Sequence, residues 1–196
     1  MEQHPNTSGQ ADPDGSYMRQ VASTVVYANP WMSVREDTFE LPDGTRGTYG
    51  VVDKPDFAVV IAEQDGCFHL VEQFRYPTQQ RSWEFPMGGW PAGKGGTAAE
   101  LAAAELVEET GVTAGTWRHL GRLTNSNGFC SQQMDVFHAT DLTAGAHRRE
   151  DTEADMVHRL VPEEEFRQMI LDGRINDSET ICAYGLFLLH SGARRT

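Results

Sequence analysis

The sequence predicts a mixed α/β domain of the α+β kind. Three observations carry this expectation. Short apolar or alternating runs of strand length crowd the first half of the chain, one strongly marked helix stands in the middle, and further strands precede two closing helices. The order is not that of a repeating strand–helix unit.

The elements follow in chain order. Residues 1–22 read as a disordered leader: Met1 to Ser16 is polar, carries Pro, Gly and Asp, and lacks the apolar core of a secretory signal. Residues 23–196 then read as one domain. Strands are expected at Thr24–Ala28, Trp31–Phe39, Gly47–Asp53, Phe57–Glu63 and Cys67–Phe74. Pro42-Asp43-Gly44 supplies one turn, and Gln64-Asp65-Gly66 supplies a hairpin. A Gly/Pro-rich loop, Pro86 to Gly96, leads into a helix at Ala98–Thr110. Thr97-Ala98-Ala99-Glu100 fits a capping box at its start, and Gly111 fits its stop. Strands at Trp117–Leu123, Met134–Ala139 and Met156–Val161 follow, then helices at about Glu163–Asp172 and Glu179–His190.

Composition narrows the function. The chain of 196 residues carries a formal net charge of −13, so its surface repels a phosphate backbone and nucleic-acid polymers are not expected partners. A small phosphorylated ligand remains compatible, because a bound divalent cation inverts the local sign. No apolar run reaches the length of a membrane helix, so no membrane partner is expected. Cys67, Cys130 and Cys182 are odd in number and form no CxxC, which indicates neither a disulfide framework nor a zinc site; the expected compartment is the cytoplasm.

The middle helix carries the chemistry. Ala99, Ala102, Ala103 and Leu106 recur at helical spacing as its buried stripe. Glu105, Glu108 and Glu109 stand at i, i+3 and i+4, on one flank. Like charges at that spacing repel by a few tenths of a kcal/mol per pair. They also occupy the last turns, where the helix dipole disfavours negative charge. A hard divalent cation, Mg²⁺ or Mn²⁺, would reverse both penalties. The loop before the helix approaches a P-loop in Gly88, Gly93 and Lys94, but Gly95 stands where the Ser or Thr would be.

Loop and helix together resemble the Nudix box. The box ends Arg-Glu-(apolar)-x-Glu-Glu-x-Gly-(apolar), and here the run is Ala104-Glu105-Leu106-Val107-Glu108-Glu109-Thr110-Gly111-Val112. Two family residues are absent: the arginine before the first glutamate is Ala104, and the upstream glutamate falls on Gly96. In the family these two form an ion pair that supports the loop, so both halves are lost together. If Gly88 is the motif's glycine, the loop is two residues longer than the pattern. Val71-Glu72-Gln73-Phe74-Arg75-Tyr76-Pro77, Ser82-Trp83-Glu84-Phe85-Pro86 and Asp172-Gly173-Arg174-Ile175-Asn176-Asp177 resemble the ADP-ribose and nucleotide-sugar pyrophosphatase branch.

The resemblance implies a Nudix-like mixed β-sheet core sandwiched between helices, and a homodimer that shares N-terminal strands. It implies Mg²⁺ (or Mn²⁺) on Glu105, Glu108 and Glu109, and substrate contacts at Arg75, Glu84 and Gly88. Glu153 and Glu108 are the expected catalytic residues; Glu153 is preferred as the base over Glu150, Asp151 and Asp155 on the same acidic stretch. Trp83 and Phe129 are candidates for stacking on a base, and Asn127-Gly128-Phe129 for lining the pocket. The implied reaction is hydrolysis of the P–O–P bridge of a nucleoside diphosphate derivative, giving a nucleoside monophosphate and a sugar phosphate. ADP-ribose, another nucleotide sugar and a dinucleotide all fit. The alternative is a catalytically weakened module that binds a nucleotide sugar as a sensor.

Overall fold

The computed structural model describes residues 17–91, 93–146 and 155–192. These residues group into two compact units. The smaller comprises the described residues up to Lys54 together with Ser126–Gln132, and the larger comprises Pro55–Asn125 and the described residues from Gln133 onward.

The smaller unit is a three-stranded antiparallel sheet of β1 (Arg19–Ala28), β2 (Ser33–Glu40) and β3 (Arg46–Asp53), in that order. β1 starts four residues inside the expected leader. Its first residues are polar, and cross-strand pairing supplies what composition does not: Arg19 stands opposite Glu40 and forms an ion pair with it. The turn between β2 and β3 follows the expected chemistry, with the Thr45 N–H donating to Asp43 Oδ1 at 2.9 Å and Gly44 at φ 84°.

The larger unit is built on a mixed sheet. Its strands are β4 (Phe57–Gln64), β5 (Cys67–Arg75), β6 (Gln80–Glu84), β7 (Met87–Gly89), β8 (Val112–Thr124), β9 (Gln133–Ala144) and β10 (Val157–Pro162). The order is β10-β5-β4-β9-β8, with β6 beside β5 and β7 beside β4. β4 and β9 run parallel, and the other pairs are antiparallel. The β4–β5 hairpin turns through Asp65 at φ 51° and Gly66 at φ 73°, the left-handed pair that a two-residue turn requires.

Ala58 to Ala62 are fully buried, as a central strand covered on both faces must be. Alternate residues divide between two cores. Ala58, Val60 and Ala62 pack with Leu101, Ala102 and Leu106 of α1 (Ala98–Thr110). Val59 and Ile61 pack with Phe166 and Met169 of α2 (Glu163–Leu171) and with Ala183, Tyr184 and Phe187 of α3 (Ser178–Gly192). The sheet is therefore sandwiched between helices, as expected.

The loop expected at Pro86–Gly96 holds a short strand at Met87–Gly89, and Gln80–Glu84 is strand as well. Each is imposed by its neighbour. Val71 pairs with Glu84, and Ala58 pairs with Gly88. Phe85 between them is fully buried, stacked on Phe166 at 5.1 Å and edge-on to Phe68 at 5.7 Å. Losing such a ring costs about 3–5 kcal/mol, so this contact firmly anchors the chain that carries Glu84 and Gly88.

Candidate functional site

Local sequence places α1 without help from the rest of the fold. The Glu100 N–H donates to Thr97 Oγ1 at 3.2 Å, and the Thr97 N–H donates back to Glu100 Oε2 at 2.8 Å. At the other end Gly111 takes φ 75°, and its N–H reaches the Val107 carbonyl at 2.9 Å. Between these stops lie Glu105, Glu108 and Glu109, with no basic residue in the last turn.

Glu109 is 1% exposed, an unusual place for a carboxylate. Its Oε2 accepts the Met87 N–H at 3.3 Å, which joins the end of α1 to β7. Glu105 meets the next residue of that strand. A Cβ added to Gly88 would lie 2.5 Å from Glu105 Oε2 and 2.7 Å from Oε1, so the missing side chain is the space the carboxylate occupies. The sequence expectation placed Gly88 against substrate, whereas here it faces a carboxylate of α1.

Arg75, at the end of β5, and Glu84, on β6, form one unit rather than two separate contacts. Arg75 Nε donates to Glu84 Oε1 at 3.0 Å and Nη2 to Oε2 at 2.6 Å, a bidentate fork. The Glu84 side chain is 1% exposed and that of Arg75 is 41% exposed, so the guanidinium stands at the surface of a buried anion. Burial pushes the Glu84 carboxyl above its ordinary value, against the pull of Arg75. Burial also opposes the charge on Arg75, but Glu84, then Asp177 and Glu109, hold its pKa above the ordinary value. Arg75 thus stays cationic among carboxylates from β6, α1 and the start of α3.

In the sequence Asp177 stands only as the last residue of the Asp172–Asp177 stretch that carries the family resemblance, with no role of its own. Asp177 caps α3, accepting the Thr180 N–H on Oδ2 at 2.8 Å. Thr180 is fully buried, and its Oγ1 accepts the Phe85 N–H at 3.0 Å. Burial, then a hydrogen bond with Glu179, pushes the Asp177 carboxyl up to about 7. Glu179 is held below its ordinary value by bonds from Asp177, Ser178 and Asn125, although burial works the other way. The two acids are hydrogen-bonded and titrate as a pair. The Asp-x-x-Thr spacing at a helix start was the available sequence signal.

The remaining expectations divide. Glu150, Asp151 and Glu153 lie outside the described residues. Asp155 is engaged by Arg81, whose Nη1 donates to Oδ2 and whose Nη2 donates to its carbonyl at 3.0 Å. Trp83 packs against the α2/α3 core and carries the Arg159 guanidinium over its ring at 5.6 Å. Phe129 is 56% exposed and belongs, with Asn127 and Gly128, to the smaller unit. Among the described residues no three His, Cys, Asp or Glu side chains stand close enough together to hold a metal ion without movement, and no helix is long and apolar enough to cross a membrane.

The donor set nonetheless suits a hard cation. It consists of carboxylate oxygens on adjacent turns, one of them buried, with the room for another kept open by Gly88. The space a side chain would take at Gly96 is filled by the Trp90 ring and the Glu100 carboxylate. A Cβ at Gly96 would meet the Trp90 ring at 2.9 Å, and Trp90 packs on the α1 core.

Comparison with known proteins identifies the family. The family model described as the NUDIX domain matches residues 53–184, and one described as the nucleoside diphosphate sugar hydrolase N-terminal domain matches residues 18–52. An ADP-ribose pyrophosphatase of Mycobacterium tuberculosis is 30% identical over 174 residues, covering 87% of this chain and 82% of its own. An ADP-ribose pyrophosphatase of Bacillus subtilis is 28% identical over 167 residues, covering 84% and 89%. A methanol dehydrogenase activator of Bacillus methanolicus is 27% identical over 169 residues, with the same coverage. A solved structure described as an ADP compounds hydrolase superposes with a TM-score of 0.78 at 20% identity, over 91% of this chain and 95% of its own, a likeness of fold.

Proposed function

The chain belongs to the NUDIX family, and from that premise we propose how its residues divide the work of hydrolysis. The protein is a pyrophosphohydrolase acting on nucleoside diphosphate derivatives of the ADP-ribose type. The observation that carries the assignment of residues is the meeting of a buried Glu109, a Gly88 that makes room for Glu105, and a cationic Arg75 in one unit.

Glu105, Glu108 and Glu109 hold the divalent cation, which we read as Mg²⁺, with Mn²⁺ as a substitute. A bound cation would offset the repulsion that their i, i+3 and i+4 spacing imposes. When bound, the ion neutralises charge on the diphosphate oxygens and lowers the pKa of water. Arg75 holds a phosphate oxygen, and Glu84 keeps the guanidinium in one orientation. Glu153 takes a proton from the attacking water, and Glu108 shares in catalysis through the metal it holds. The new P–O bond forms to the water oxygen while the bridging P–O bond breaks, and the leaving phosphate takes up the proton. With ADP-ribose the products are AMP and ribose 5-phosphate.

We read the working form as a cytoplasmic homodimer without a nucleic-acid partner. Val25, Val26 and Tyr27 of β1 are 59%, 54% and 53% exposed, an apolar strand suited to a second copy. A reducing compartment suits the free thiols of Cys67, Cys130 and Cys182.

The test is phosphate-monoester release from ADP-ribose, other nucleotide sugars and dinucleotides, with Mg²⁺ and with excess EDTA. Metal-dependent release, highest on an ADP-ribose-type compound, is expected. Binding of every compound without release would overturn the hydrolytic reading and favour a sensor.

A further inference from the structure

We propose that Asp177 is a positioning residue for Arg75, acting through the Thr180 hydroxyl and the Phe85 backbone on Glu84. The inference rests on the reading of Arg75 as the phosphate-holding group. It goes beyond that reading by identifying what holds the Arg75–Glu84 fork in place.

The case is geometric. Arg75 is fixed by two bonds to a single carboxylate, so its direction is that of Glu84. Glu84 ends β6, and the next residue makes the tie that continues inward: the Phe85 N–H donates to Thr180 Oγ1 at 3.0 Å. The Thr180 N–H in turn donates to Asp177 Oδ2 at 2.8 Å, so the same residue reads the cap with its backbone and β6 with its side chain. A second link, from Ser82 Oγ to Asn176 Oδ1 at 3.4 Å, runs beside the first. Asn176, just before α3, and Thr180, in its first turn, therefore hold β6 and the residue after it from outside their own sheet, with Asp177 fixing Thr180.

The charge state of Asp177 suits this task. Burial and the bond with Glu179 push its carboxyl up to about 7, so its protonated form is populated near neutral pH. In that state it accepts from Thr180 and donates to Glu179. Asparagine offers the same acceptor and donor.

Four variants test the proposal: Asp177→Ala, Asp177→Asn, Thr180→Val and Arg75→Ala, with KM, kcat and melting temperature measured on ADP-ribose with Mg²⁺ at pH 7. Asp177→Ala and Thr180→Val are expected to raise KM about tenfold with kcat within about twofold, and Asp177→Asn to keep the wild-type KM. In an Arg75→Ala background, Asp177→Ala should add nothing further. A global loss of folding would lower kcat and add to Arg75→Ala, so it is distinguished from positioning. Thr180→Val keeps the buried volume and decides the matter if Asp177→Ala melts early. Unchanged KM in Asp177→Ala and Thr180→Val, or an equal rise with and without Arg75, overturns the inference alone. Unchanged KM in Arg75→Ala overturns the phosphate-holding reading and the inference with it.

Discussion

Replacing Gly88 with alanine isolates the role of the α1 carboxylates from the stability of the fold. Gly88 is not among the residues with positive φ, so its backbone accepts a side chain. The obstacle is the Glu105 carboxyl, whose atoms would lie 2.5–2.7 Å from the new Cβ, against the 3.4–4 Å of ordinary contact. The far end of a flexible side chain yields cheaply, so the melting temperature should stay within about 2 °C, equivalent to less than about 1 kcal/mol. The carboxylate must nevertheless retreat by about 1 Å, and a misplacement of that size in a catalytic constellation costs on the order of 100-fold in rate. That is about 2.7 kcal/mol of transition-state stabilisation. The assay is kcat/KM on ADP-ribose at saturating Mg²⁺, beside a melting curve, in wild-type and Glu105→Gln backgrounds. With Glu105 already disabled, the alanine should add less than about threefold. A folded Gly88→Ala enzyme of wild-type activity would refute the claim that this glycine makes room for a metal ligand.

Other perturbations probe separate parts of the account. Glu109→Gln should keep the fold, since an amide oxygen can still accept the Met87 N–H, while activity falls by about 10²–10³-fold; a turnover assay with a melting curve checks both. Trp90 occupies the space above Gly96, so Gly96→Glu should lower the melting temperature by several degrees in the wild type and by less in Trp90→Ala. Equal effects in both backgrounds would show that the ring is not what fills that space. Acid sensitivity should come in part from His69, which is 7% exposed with Nδ1 2.8 Å from His158 Nε2. Burial, then the charge of His158, lowers its pKa from 6.5 to about 4. The unfolded chain therefore binds a proton below 6.5 that the native protein refuses until about 4. Stability contributed by His69 is unaffected above pH 6.5 and falls between those values, by on the order of 3 kcal/mol. Denaturant midpoints at pH 7 and pH 4.5 should differ less in His69→Gln; an unchanged difference would remove His69 from the explanation.

What could be read from the sequence follows from where the information lies. α1 was bounded to the residue because its start and stop are local, a capping box at Thr97 and a left-handed Gly111. β4 and β5 were legible for the same reason, as apolar runs joined by Asp65-Gly66. β6 and β7 were not, because Pro86 and two glycines mask strands that exist only through pairing with β5 and β4. β8 runs from Val112, well before the expected Trp117, because β9 pairs along its whole length. In the site, Arg75 and Glu84 were each singled out, but nine positions of chain separate them and their bond is a product of the β5–β6 register. The tie from Asp177 to Phe85 crosses more than ninety residues and has no local signature beyond a helix cap. Trp90 was hidden because it answers an absence, the space at Gly96, rather than matching a pattern.

The most direct test of the central claim is a Mg²⁺ titration of ADP-ribose hydrolysis, followed by ³¹P NMR, on wild-type protein and Glu109→Gln with matched melting curves. The account predicts that the wild type converts the diphosphate signals into those of two phosphate monoesters only when Mg²⁺ is present. It also predicts that folded Glu109→Gln needs far more metal or stays silent. Turnover that persists in excess EDTA, or a folded Glu109→Gln protein with the wild-type metal response, would contradict it.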